Sequence, residues 1–160
     1  MKEINLTQNK ITLVDDEDFK YLNQYHWHTR KMGNTFYAGR NIKTEKGQRI
    51  ILMHREILNI LESIQEGDHI DGDGLNNVKL NLRVCSHKEN SRNKRSRKNS
   101  SSNYLGVAFY KPKPWKAQIR VDNKLINLGS FNTEIEAAMV YDEAAKKYFG
   151  EFANLNFKKL

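Results

Sequence analysis

The chain has 160 residues, 38% of them hydrophobic and 29% charged, with 27 Lys and Arg against 19 Asp and Glu. That is the length of one domain or two small ones, and no stretch approaches the ~20 apolar residues of a membrane span. The net charge of +8 favours a polyanionic partner, and the single Cys85 excludes an internal disulfide and a multi-cysteine zinc site.

Residues 1–14 read as short strands, with Ile4 and Leu6 followed by Ile11-Thr12-Leu13-Val14. Asp15 or Asp16 can cap a short helix running to about Tyr25, with Phe19 and Leu22 three apart on its buried side. His26 to Arg30, a turn at Met32-Gly33-Asn34, and Thr35 to Arg40 predict a hairpin. His26 and His28 flank Trp27 at strand spacing, which suits a surface face better than a metal pair. Gln48 to Met53 is a further predicted strand, and Ile57, Leu58 and Leu61 follow at helical spacing.

Charge is spread unevenly. Residues 1–60 hold ten bases and seven acids, residues 61–90 three bases and six acids, and residues 91–103 five bases and no acid. An acidic island within a basic protein repels a phosphate backbone unless a cation bridges the two. In that island, Gly67 to Gly74 leads through a polar loop to Leu80-Asn81-Leu82-Arg83-Val84-Cys85, a strand, a long loop and a second strand. Ser86 and Glu89 have capping-box spacing, so a helix starts near His87 and runs to about Arg95. Asp71-Gly72-Asp73-Gly74 fails as a calcium loop: Leu75 and Asn76 stand at its fifth and sixth places and Leu82 at its twelfth.

Hydrolysing a phosphodiester takes a base to deprotonate water and a cation to neutralise the phosphate. Imidazole suits the first role, and carboxylate and amide oxygens suit magnesium or manganese. Asp68 and His69 are strand neighbours and so point to opposite faces, unless the strand end twists. The run Asp68-His69-Ile70-Asp71-Gly72-Asp73-Gly74-Leu75-Asn76-Asn77, then Asn81-Leu82-Arg83, then Glu89-Asn90, resembles the HNH endonucleases, the ββα-metal nucleases of phages and mobile introns. The resemblance implies His69 as general base, and Asp68 and Asn90 as ligands of one Mg2+ or Mn2+. It implies Asn81 as the middle asparagine that braces the loop, and products with 5′-phosphate and 3′-hydroxyl ends. His87 lies one turn before Asn90 and competes for its assignment. His54, in Met53-His54-Arg55, stands where the family often has His-Arg, with DNA contact and bracing both open.

Residues 91–103 continue the helix and then become a Ser/Asn linker, in which Arg92, Lys94, Arg95, Arg97 and Lys98 suit phosphate contact. Beyond it, Val107 and Phe109, then Ala117, Ile119 and Val121, then Ile126 and Leu128, alternate with more polar residues, which predicts three strands. Thr133 and Glu136 open a helix that Gly150 ends, and Ala137, Ala138, Ala144 and Ala145 let it lie close on the sheet. Leu105-Gly106-Val107, Trp115 to Arg120, Leu128 to Phe131, Tyr141-Asp142 and Asn154…Phe157 resemble the Apetala-type (ethylene-response-factor) DNA-binding domain. The resemblance implies that Lys116, Gln118 and Arg120, with Tyr110 and Asn127 beside them, face the major groove.

Together these readings predict an α+β chain: an HNH nuclease domain at 1–95 with a β-rich N-terminal extension and a core at about 50–95. A basic linker at 96–103 and an Apetala-type domain at 104–160 follow, the latter a three-stranded antiparallel sheet packed on one helix. The expected activity is metal-dependent cleavage of double-stranded DNA at a preferred site, by a monomer, with no small-molecule cofactor. A cytoplasmic protein without membrane attachment is expected, since Met1–Asn5 lacks the apolar core of a signal peptide. The alternative is a non-catalytic DNA-binding regulator on a degenerate HNH fold.

Overall fold

Short alternating stretches joined by tight turns build antiparallel ladders, and the computed structural model is mostly antiparallel sheet with few helices. It describes residues 1–45, 47–60, 64–90, 100–111 and 115–157. The chain divides into two units, Met1–Asn90 and Ser91–Leu160. Among the described residues no helix is long and apolar enough to cross a membrane.

In the first unit, β1 (Lys2–Asn5) pairs with β2 (Ile11–Val14). α1 (Asp16–Leu22) follows and is shorter than the expected run to Tyr25. Asp15 stands at its N-cap without capping it; the carboxylate accepts the backbone N–H of Lys79 at 2.7 Å instead, so a local signal is spent on a distant loop. β3 (His28–Met32), β4 (Thr35–Thr44) and β5 (Gly47–Leu52) form a meander. Met53, expected as the end of a strand, opens α2 (Met53–Ile57) and is fully buried. Its side chain joins Ile4, Val14, Leu22, Trp27 and Ala38 in the core of this unit. Each of the larger aliphatic side chains among them contributes roughly 1.5–3 kcal/mol on leaving water.

β6 (Glu66–His69) pairs antiparallel with β7 (Leu82–Cys85), and α3 (His87–Asn90) follows directly. Ser86 and Glu89 bond reciprocally at the head of α3, the Ser86 N–H donating to Glu89 Oε2 at 2.8 Å and the Glu89 N–H to Ser86 Oγ at 3.3 Å. The expected continuation of this helix to Arg95 lies outside the described residues.

In the second unit β8 (Val107–Phe109), β9 (Trp115–Val121) and β10 (Lys124–Phe131) form a sheet in the order β10-β9-β8. α4 (Glu134–Phe149) carries the full capping box of Thr133 and Glu136, and ends at Gly150 with φ +56°. Ala137, Ala138 and Ala145 are fully buried, so the helix backbone approaches the sheet. Gly106 has φ +69°, and a Cβ there would collide with the Tyr141 ring, so only glycine fits. Residues 100–103, read from sequence as linker, are tied into this unit: Ser101 Oγ accepts from Phe109 N at 3.0 Å and Ser102 Oγ from Tyr104 N at 2.9 Å.

Candidate functional site: two faces of one strand

Alternation along β6 sends Gly67 and His69 to one face and Glu66 and Asp68 to the other. On the first face His69 is 4% exposed and His54 5%. Their rings meet edge to face with centroids 4.8 Å apart, and Tyr37 lies 5.7 Å from His69. Gly67 makes room for this stack, since a Cβ would lie 2.5 Å from His54 Cδ2. Burial, with the charges of His69 and Arg55, pushes the His54 imidazole down to about 3, so it is neutral. Burial also lowers His69, against the raising effect of its bond to Asn77. His54 braces the stack in this packing, and like His69 it is closed off from solvent in the free chain.

On the second face Asp68 lies directly opposite Arg83, which donates Nε at 2.9 Å and Nη2 at 2.7 Å to its Oδ2. Glu66 accepts Asn90 Nδ2 on Oε2 at 2.6 Å and meets His87 Nδ1 on Oε1 at 2.7 Å. Those hydrogen bonds, Asn90 first and His87 second, hold the Glu66 carboxyl below its ordinary range. Asp68 and Asn90 are thus carried on one strand face and the helix that follows, with Glu66 between them. Burial, then the charges of Asp68 and Glu66, pushes the Cys85 thiol up to about 11, which leaves it an inert neutral group.

The loop between the strands is held from within. Asp71 accepts Asp73 N at 2.8 Å, Asn76 Nδ2 at 2.8 Å and Asn81 Nδ2 at 2.9 Å. Burial opposes its charge, but these bonds outweigh it and hold Asp71 below the usual carboxylate range. Asn81 also accepts Asp71 N at 3.0 Å and donates to Asn76 O at 2.8 Å, so its side chain is spent on bracing the loop. Gly74 lies against the backbone of Phe36 and the ring of Tyr37, which seats the loop on β4.

The donors suit a hard divalent ion in kind: the Asp68 carboxylate, the Asn90 amide oxygen, and Glu66 beside them. In the structure Asp68 serves Arg83 and the Asn90 amide serves Glu66. Among the described residues no group of three or more His, Cys, Asp or Glu side chains is placed to hold a metal. Sequence alone gives Glu66 no part and assigns no role to Arg83 or Asn77. Glu66 was legible as the residue two before Asp68 on a strand; the Arg83 pairing follows only once the β6–β7 register is known.

In the second unit, Lys116, Gln118 and Arg120 alternate with buried Ala117 and Ile119 and turn away from α4. Asn127 lies opposite Gln118 in register, and the Lys116 ammonium sits 5.7 Å from the Tyr110 ring. Asn127 also braces its own strand, because its Oδ1 accepts Gly129 N at 3.3 Å across a bulge in β10. Leu125, 56% exposed opposite Arg120, adds an apolar member to this face that sequence alone did not single out. Arg92, Lys94, Arg95, Arg97 and Lys98 lie outside the described residues.

Asp142 and Asn156, whose side chains carry no role in the sequence pattern, close this unit. Buried Asp142 accepts the N–H groups of Asn156 and Phe157 at 2.8 and 2.9 Å. The Asn156 side chain in turn accepts Leu105 N at 2.6 Å.

No family model matches the chain. It is 37% identical over 89 residues to an uncharacterized HNH endonuclease of Acanthamoeba polyphaga mimivirus, across 56% of this chain and 46% of that protein. It is 38% identical over 85 residues to dehydration-responsive element-binding protein 2D of Arabidopsis thaliana, across 52% of this chain and 41% of that protein. An AP2/ERF and B3 domain-containing transcription repressor of the same plant is 43% identical over 70 residues, across 44% of this chain and 19% of the repressor. The chain thus spans less than half the length of each of these relatives. Its homologues include both an HNH endonuclease and Apetala-type DNA-binding proteins, the combination of parts that residues 68–90 and 104–157 led us to expect.

Proposed function

We propose that the chain is a metal-dependent DNA endonuclease of the ββα-metal type, hydrolysing phosphodiester bonds at a preferred site. The observation that carries this reading is the run β6–loop–β7–α3, which carries Asp68 and Asn90 on one strand face and the helix after it, with His69 next along β6 on the opposite face and Asn81 bracing the loop between. Likeness to an HNH endonuclease supports it. Asp68 and Asn90 would hold one magnesium or manganese ion, with Glu66 orienting the asparagine. The ion, when bound, supplies positive charge at the scissile phosphate. His69 accepts the proton of the attacking water, which requires the substrate to open a path to a ring now 4% exposed. Binding the ion through Asp68 likewise requires its carboxylate to share or leave Arg83. The Lys116, Gln118 and Arg120 face, together with the basic residues of 91–99, anchors double-stranded DNA. The protein acts as a monomer in the cytoplasm.

The engagement of Asp68 by Arg83 favours a second reading, a DNA-binding regulator that does not cut. Plasmid nicking with and without magnesium or manganese separates the two. Nicking only with the ion, lost about 10²–10⁴-fold in His69→Ala while plasmid binding is kept, is the expected result. Binding without nicking under either ion would establish the regulator.

A further inference from the structure

One buried polar chain on the His69 face has its direction fixed by chemistry alone. The Leu75 carbonyl can only accept, and Thr12 Oγ1 lies 2.6 Å from it, so the Thr12 hydroxyl donates there. Thr12 Oγ1 then has only lone pairs to offer Asn77, so the Asn77 atom 2.7 Å away is the donating Nδ2. That turns Asn77 Oδ1 to His69 Nε2 at 3.2 Å, and an amide oxygen can only accept. His69 Nε2 therefore carries the proton, and Nδ1 carries the lone pair. Thr12 and Asn77 are fully buried, so water does not offer the amide another partner. The frame is rigid as well, because Leu13 N donates to Leu75 O at 2.9 Å and Asn77 N to Leu13 O at 2.8 Å, bridging β2 to the loop.

The geometry points to Thr12 and Asn77 as positioning residues that fix the tautomer of His69, with its proton on Nε2. The catalytic consequence rests on the nuclease reading; the tautomer does not. In neutral imidazole a protonated and a bare nitrogen differ widely in 15N resonance, and both can be read in the full chain labelled at histidine. His69→Ala identifies the signals among the five histidines.

At mildly alkaline pH the wild-type chain is expected to show the proton on Nε2 of His69. Thr12→Val keeps the shape but removes the hydroxyl that orients Asn77, and should give averaged signals from two tautomers. Thr12→Ser and Asn77→Asp should keep the wild-type pattern, since each preserves an acceptor at Nε2. In nicking assays Thr12→Val should lower kcat about 10- to 100-fold with KM unchanged, and Thr12→Ser should restore it. A proton on Nδ1 in the wild-type chain, which needs no variant to measure, would overturn the assignment. So would wild-type signals in a folded Thr12→Val chain. If the signals behave as expected but no form cuts DNA, the positioning stands and the nuclease reading falls.

Discussion

The two units bury different things. Met1–Asn90 contains all five histidines, and buries His54, His69, Asp68, Thr12 and Asn77 in hydrogen bonds and ring stacks. Ser91–Leu160 has no histidine; among its described residues Val107, Ile119, Phe149 and the alanines at the helix–sheet contact fill the centre, and the buried polar side chains are Ser102 and Asp142. Buried polar groups cost desolvation and stabilise little unless every partner is present. An apolar seam tolerates chemistry poorly but is forgiving of pH. The first unit thus trades stability for a shaped polar centre, whereas the second is a rigid platform that presents its surface.

The largest expected break of this contrast is Gly106→Val. It places a side chain at φ +69° and into the Tyr141 ring, and should cost about 4 kcal/mol. In calorimetry the transition of the second unit should collapse while that of the first is unmoved. A single joint loss of both would mean that the two are not independent.

Next comes Arg83→Met. Removing the partner of buried Asp68 should destabilise the first unit by about 3 kcal/mol. Added magnesium should restore more of that stability than it adds to the wild type, because the carboxylate is released for a cation. Thermal melts with and without the ion read this; equal increments in both chains would count against Asp68 as a ligand.

Acid gives the smallest effect and the sharpest contrast. Unfolded His54 takes up a proton near its ordinary 6.5, folded His54 only near about 3, so the unfolded state binds more protons between those values. Stability of the first unit therefore falls as pH drops through that window, by on the order of 2 kcal/mol at about pH 5. Burial of His69 acts in the same direction. Urea unfolding of His54→Phe against wild type, at neutral and acid pH, should show a flatter acid limb in the variant. A limb of equal slope would show that His54 is not held neutral.

Local signals carried much of this architecture. Alternation marks β8, β9 and β10, and the Thr133–Glu136 and Ser86–Glu89 spacings mark the heads of α4 and α3. What stayed hidden was every interaction that needs two distant segments. Asp15 reads as a helix cap, yet the Lys79 N–H wins its carboxylate across 64 residues. Asn77 sits in a loop that looks solvated, and its partner Thr12 is 65 residues away. His54 reads as an ambiguous motif residue until Gly67 is seen to admit its ring. The residue types at 68, 69, 81 and 90 were legible as a pattern that resembles a known nuclease family. Their partners Arg83 and Asn77 were not, because strand register and loop closure choose them.

The bridge from β2 to the loop at residues 75–77 has a consequence for gene expression. Translation that started internally at Met32 or Met53 would yield a shortened product with every motif side chain from Asp68 to Asn90 and the whole second unit. Such a product would lack Thr12 and the strand that carries it. Its Asn77 would lose the hydroxyl that orients the amide toward His69, and Ile4, Val14, Leu22 and Trp27 would be missing from the core of that unit.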